Sequence, residues 1–275
     1  MSGPPRLLAI DLDGTLVQPR RPLRPRVVAA VRQAQRAGIR TTIVTGRMYV
    51  GAKPFAEALA LDGPIACYQG AVIADARSGR FASETPLAFA VAARIYAAAT
   101  AHDFHVQFYT GDQFFVEHRN AYSELYERTS GTQAVLVPSL LERFAGIDPT
   151  KVNVVTEIAR TAECQALMES VCGDDAYVTR SNPEFVEMLD PRVDKGRAFR
   201  AIAEQLGIPL EATIAIGDSY NDLPFLQTAG FGIAMGSAPE ELKAAADAVV
   251  GDVEHDGVVE AIERYVLGPL AGRAS

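Results

Sequence analysis

Five short apolar runs, at residues 7–10, 41–44, 65–67, 212–216 and 232–235, restrict the folds open to this chain. Each is too short for a helix and is bounded by Gly, Asp or Pro. None shows the apolar–polar alternation of a half-solvated strand, so each reads as a strand buried on both faces of a parallel sheet. Helical patterns separate them. Residues 25–37 carry Val27, Val28, Val31 and Ala34 on one stripe and stop at Gly38; residues 195–206 carry Ala198, Phe199, Ile202 and Leu206 and stop at Gly207 and Pro209. Strand and helix alternate at both ends of the chain, which predicts an α/β fold: a doubly wound, mainly parallel, Rossmann-like sheet.

The middle follows another rule. Residues 104–108 alternate, Thr110-Gly111-Asp112 forms a turn signal, and 114–116 is apolar, the pattern of a hairpin; Asn182-Pro183 likewise separates 176–179 from 185–189. Helical stretches at 88–100, 121–128 and 161–171 lie between. The reading is an α+β module at 83–188 inserted into a core made of 1–82 and 189–275.

A net charge of −8 and a pI near 5.1 argue against a broad basic surface for nucleic acid or anionic lipid. An anionic substrate must therefore be held by a local site. The three cysteines, Cys67, Cys164 and Cys172, show no paired spacing and read as reduced, buried thiols. The four-residue apolar run near the start is far short of a signal sequence, and no stretch approaches a membrane span, so the expected location is the cytoplasm. Only four of the 26 basic residues are lysines (Lys53, Lys151, Lys195 and Lys243), which draws attention to any lysine in a constrained setting.

Three of the expected parallel strands end in a polar residue: Asp11, Thr45 and Asp218. Ligands of open α/β sheets bind outside the carboxyl ends of the strands, so neighbouring strands would bring these three together. With Asp13 and Asp222 they place up to four carboxylates in one crevice. Such carboxylates repel one another unless a cation compensates them. A hard divalent ion such as Mg²⁺ takes one or two carboxylates and completes its shell with water and a substrate phosphate. Thr45-Gly46-Arg47 and Lys195-Gly196 at a helix start supply further groups suited to a phosphate.

These residues stand in four ordered motifs: Asp11-Leu12-Asp13-Gly14-Thr15, Thr45-Gly46-Arg47, Asp194-Lys195-Gly196, and Gly217-Asp218-Ser219-Tyr220-Asn221-Asp222. In this the sequence resembles the haloacid dehalogenase superfamily of aspartate-nucleophile phosphatases, in its Cof-like branch, along nearly the whole chain. That branch carries a large α/β cap between its second and third motifs, in keeping with the 150 residues from Thr45 to Lys195.

The resemblance implies a Mg²⁺-dependent phosphomonoester hydrolase acting on a small phosphorylated metabolite, most plausibly a sugar phosphate. Asp11 would be the nucleophile and Asp13 the general acid and base. Asp11, Asp13 through its main-chain carbonyl, and Asp218 would ligate Mg²⁺, with Asp222 orienting that shell. Thr45, Gly46, Lys195 and Asn221 would hold the phosphoryl oxygens. The cap would read the leaving group, with His105, Gln107, Tyr109, Arg119, Tyr122 and Arg180 as candidates. Partners beyond the metabolite are not expected, neither nucleic acid nor membrane, and the chain would be a monomer or homodimer. A phosphomutase of the same superfamily and a non-catalytic phospho-ligand binding module are the alternatives. The chain departs from the family pattern at Gln69-Gly70, where Asn-Gly is usual, and at Asp190-Pro191-Arg192-Val193-Asp194, where small residues are commoner.

Overall fold

The structure, a computed structural model, describes residues 4–18 and 21–268. Its strands in chain order are β1 (Leu7–Ile10), β2 (Arg40–Ile43), β3 (Pro64–Cys67), β4 (Val72–Asp75), β5 (Phe81–Glu84), β6 (His105–Thr110) and β7 (Gln113–Val116). There follow β8 (Val135–Leu136), β9 (Lys151–Val155), β10 (Tyr177–Asn182), β11 (Phe185–Leu189), β12 (Thr213–Gly217), β13 (Phe231–Ala234) and β14 (Ala248–Val249). The chain divides into two compact units, one of Met1–Thr45, Ala52–Ala82 and Asp194–Ser275, the other of Gly46–Gly51 and Ser83–Val193.

The first unit is built on a parallel sheet of order β14-β13-β12-β1-β2. Its central strand β1 pairs with β12 on one side and β2 on the other, with Leu7 opposite both Thr213 and Arg40. All four β1 residues are buried, as the unalternated run requires. Helix Lys195–Gln205 lays Ala198, Phe199, Ile202 and Ala203 against Leu7, Ala9 and Ala215 of the sheet. Phe199 meets Phe225 edge-to-face at 5.2 Å. Burial of side chains of this kind contributes roughly 1.5–3 kcal/mol each. Gly207, at φ +63°, ends the helix in the left-handed conformation that glycine adopts without strain.

One expectation is corrected. The run at 65–67 does form β3, but its ladder is with β4 and is antiparallel, in a separate sheet of order β3-β4-β5. It meets β2 through the parallel bridge between Val44 and Ala66 and through the Thr42 hydroxyl, which donates to the Pro64 carbonyl at 2.7 Å. The reason is the tight turn at Tyr68-Gln69-Gly70, too short for the crossover a parallel neighbour needs.

The second unit holds a six-stranded sheet of order β10-β11-β9-β6-β7-β8, antiparallel except where β8 joins β7. The β6–β7 hairpin turns on Gly111 and Asp112, both near φ +60°, the two-residue geometry that matches strand twist. Helices Phe89–Ala101 and Thr161–Cys172 cover one face, where Val106, Phe108, Val152, Val154, Val186 and Met188 form the core. Strand β9 escaped the sequence reading because Lys151 and Asn153 interrupt its apolar residues, yet it sits between β11 and β6 with all five residues buried.

Candidate active site

The carboxyl ends of β1 and β12 bring the first and fourth motifs together. Asp11 follows Ile10 and donates its backbone N–H to the Ile216 carbonyl at 2.9 Å, so its position is set by the sheet itself. Asp218 follows Gly217, and Thr15 Oγ1 donates to its Oδ1 at 2.7 Å across 203 residues of sequence. Gly14 makes this approach possible: it sits at φ +87°, and a Cβ there would lie 2.2 Å from Asp218 Oδ2. Asp222 is fully buried, and its Oδ2 accepts from the backbone N–H groups of Asp218 and Ser219, both at 3.0 Å, folding the loop back on itself.

The third motif enters from the N-terminus of helix Lys195–Gln205. Asp194 caps that helix by accepting from the Arg197 N–H at 2.8 Å. The Lys195 side chain is buried, and its Nζ donates to Asp11 Oδ1 and to Asp222 Oδ1, each at 2.6 Å. Burial alone would depress this ammonium; the two carboxylates overcome that and hold its pKa above the ordinary lysine value. Burial raises Asp11 well above the carboxylate range, and the charges of Asp222 and Asp218 add to the effect against the pull of Lys195. Asp218 is pushed up to about 7, first by burial and then by Asp222.

One ammonium thus faces three carboxylates whose oxygens lie within 4.8 Å of one another. An oxygen-only donor set with two raised pKa values and an excess of negative charge suits a hard divalent cation. Asp11, Asp218 and Asp222 could hold it. The side chain of Asp13 is not among these three; its residue forms a bridge with Val17 in the turn beyond β1.

Thr45 lies buried just past β2, its N–H donating to the Ala66 carbonyl at 2.9 Å. Gly46 follows it in a bend. Asn221 donates from Nδ2 to Gln69 Oε1 at 2.9 Å, and its Oδ1 is buried with no hydrogen-bond partner among the described residues. Gln69, the departure from the family's Asn, is therefore a neighbour of the fourth motif. It is held in an unusual backbone: Tyr68 at φ +53°, Gln69 at +58° and Gly70 at +102° run consecutively, all against steric preference except the glycine. The Gln69 N–H donates to the Thr45 carbonyl at 3.0 Å, tying this turn to the second motif. The dipeptide Gln69-Gly70 was the sequence signal, but neither its strain nor its partner is visible there.

The family model for haloacid dehalogenase-like hydrolases matches residues 8–262, a span that contains all four motifs. The chain belongs to that family. It is similar to pyridoxal phosphate phosphatase YbhA of Escherichia coli, with 29% identity over 272 residues covering 95% of this chain and 99% of that protein. It is also similar to a phosphoglycolate phosphatase of Methanothermobacter thermautotrophicus, 27% identical over 95% of this chain and 99% of its relative. Among solved structures, a haloacid dehalogenase-like hydrolase from Bacteroides thetaiotaomicron superposes with a TM-score of 0.84 at 29% identity, covering 94% of this chain and 99% of that one. This haloacid dehalogenase-like hydrolase is an enzyme of the phosphoric monoester hydrolase class. Among its described residues no helix is long and apolar enough to cross a membrane. Its three cysteines are buried and free, and burial pushes the thiols of Cys164 and Cys172 up to about 12 and 11, well away from reactivity.

Proposed function

We propose that this hydrolase is a Mg²⁺-dependent phosphomonoesterase that transfers the phosphoryl group of a small metabolite, a sugar phosphate, first to Asp11 and then to water. The observation that carries the reading is the buried Lys195 ammonium held 2.6 Å from both Asp11 and Asp222. That arrangement keeps a carboxylate oxygen available as a nucleophile beside a fixed positive charge, where an incoming phosphoryl group can be neutralised.

An oxygen of Asp11 attacks phosphorus and the bond from phosphorus to the ester oxygen breaks. Asp13 gives its proton to the departing alkoxide. It then takes a proton from water, whose oxygen attacks phosphorus and breaks the bond to Asp11, returning the carboxylate and releasing inorganic phosphate. Thr45, the Gly46 backbone, Lys195 and Asn221 hold the non-reacting phosphoryl oxygens. Asp11, Asp218 and the Asp13 carbonyl, with Asp222 behind them, would hold Mg²⁺, which would supply Lewis-acid neutralisation of the phosphoryl charge. Residues 83–188 act as the cap that recognises the part of the substrate beyond phosphorus.

The test is phosphate release from sugar phosphates, pyridoxal phosphate and phosphoglycolate, with Mg²⁺ or EDTA, beside Asp11→Asn. Release that needs both the metal and Asp11 supports the reading. Turnover that persists in EDTA or in Asp11→Asn, or a requirement for a sugar bisphosphate with little net hydrolysis, contradicts it.

A further inference from the structure

The left-handed turn Tyr68-Gln69-Gly70 lies outside the four motifs, yet it touches three of them. The Gln69 N–H donates to the Thr45 carbonyl at 3.0 Å, and the Thr45 N–H donates to the Ala66 carbonyl of β3. Both main-chain groups of Thr45 are thus set by the turn and the strand that leads into it. Gly70, at φ +102°, stands so close to the start of helix Lys195–Gln205 that a Cβ there would lie 2.6 Å from the Asp194 carbonyl oxygen. The Gln69 side chain reaches the fourth motif, its Oε1 accepting from Asn221 Nδ2 at 2.9 Å. Both of these side chains are buried.

Two features separate this contact from ordinary packing. A glutamine at φ +58° beside a tyrosine at +53° departs from the backbone that side chains prefer, and such a backbone persists only where its surroundings over-determine it. The Asn221 amide, moreover, makes one hydrogen bond among the described residues. Its Oδ1 is buried without a partner, so hydrogen bonding opposes rotation of this amide only through Gln69. An amide nitrogen carries two hydrogens. With one engaged by Gln69, the other has a fixed direction and is left for a ligand oxygen. A single residue therefore orients, through its side chain and its main chain, two of the groups that would hold the phosphoryl oxygens.

We propose that Gln69 is a positioning residue for phosphate binding: its side-chain carbonyl fixes the Asn221 amide, and its main-chain N–H fixes Thr45. This rests on the phosphomonoesterase reading above, in which Thr45 and Asn221 hold the phosphoryl group, and adds to it a residue that acts through those two.

The test measures, by calorimetry, the affinity of the intact Mg²⁺-loaded protein for inorganic phosphate in wild type, Gln69→Met, Asn221→Ala and the double variant. Methionine matches glutamine in length and keeps the main-chain bond to Thr45, but offers no carbonyl to Asn221. Gln69→Met should weaken phosphate binding about tenfold when Asn221 is present and under about twofold when it is already alanine, because nothing is then left to orient. The kcat/KM for acetyl phosphate should follow the same pattern. Gln69→Asn is the second variant: it retains an amide and tolerates a positive φ, but is too short to repeat the contact from the same backbone. It should lose phosphate affinity to a similar degree while its Tm responds to Mg²⁺ as in wild type. Unchanged affinity in either variant, equal losses with and without Asn221, or loss of the Mg²⁺ response in both variants would overturn the positioning role alone. A wild type that neither binds phosphate nor releases it from any ester would overturn the phosphatase reading and this inference with it.

Discussion

The Lys195 ammonium and the Asp11 carboxylate meet at 2.6 Å although 184 residues separate them in the chain. The parallel sheet makes that meeting possible, since β1 and β12 are neighbours and helix Lys195–Gln205 starts beside their carboxyl ends. Removing the cation leaves buried carboxylates facing one another. Lys195→Met should destabilise the protein by about 3–5 kcal/mol, the usual cost of breaking a buried ion pair from one side. Urea unfolding measures it. The loss should be smaller at pH 5 than at pH 8, because Asp11 and Asp218, whose pKa values are raised, shed part of their charge by protonation. A loss that is the same at both pH values would contradict this account of the site's charge.

The same shifts give the metal-free protein a pH dependence. Burial and Asp222 push Asp218 up to about 7 in the folded metal-free protein, against 3.8 for an ordinary Asp, so between those values the folded state binds more protons than the unfolded state. The stability associated with this group is fully present below pH 4 and is lost as pH rises through 7. A bound divalent cation displaces the proton, so the Tm increase produced by Mg²⁺ should grow from pH 5.5 to pH 8.5. Melting curves in EDTA and in Mg²⁺ across that range check it; an increase that shrinks with pH would oppose the prediction.

Gly14→Ala should damage both fold and site. Its φ of +87° disfavours any side chain, and the added Cβ would fall 2.2 Å from Asp218 Oδ2. The backbone alone should lose about 1–3 kcal/mol, and displacement of Asp218 should weaken Mg²⁺ binding, read as a higher metal concentration for half-maximal stabilisation. Wild-type stability and metal response in this variant would be incompatible with the geometry described.

The meeting of Asp11, Lys195, Asp218 and Asp222 was legible in the sequence because each of their motifs follows a local rule. An unalternated strand such as 7–10 marks the sheet's centre, and a polar residue at its carboxyl end marks the crevice. The antiparallel ladder of β3 was not legible, because it depends on the left-handed Tyr68 and Gln69, neither of which advertises such a backbone. Nor were the buried polar residues of the second unit's sheet. Alternation of Lys151, Asn153 and Glu187 with apolar neighbours is the pattern of a strand with one face in water, and periodicity cannot distinguish a wet face from a buried polar one. The scarcity of lysine was the available clue: two of the four, Lys151 and Lys195, are fully buried in ion pairs. Among the candidates in the second unit, Gln107 and Tyr109 are buried on β6, whereas Arg119 is paired with Glu127 near the surface.

The pair in the second unit permits a test of its own. Lys151→Met should lower stability by about 3–5 kcal/mol by stranding Glu187, whereas the double variant Lys151→Met with Glu187→Met should recover most of the loss, since apolar replacement of both partners is often close to neutral. Denaturant unfolding of both single variants and the double variant closes the cycle. Additive losses would show that the two side chains act independently.

The central claim is that Asp11 carries the phosphoryl group during turnover. Its most direct measurement mixes the Mg²⁺-loaded enzyme with acetyl phosphate, quenches in acid within the first turnovers, and maps the phosphoryl adduct by peptide mass spectrometry. The account predicts phosphorylation of the peptide containing Asp11, localised to that residue and absent from Asp11→Asn. Phosphate release with no adduct at Asp11, or with the adduct on another side chain, would contradict it.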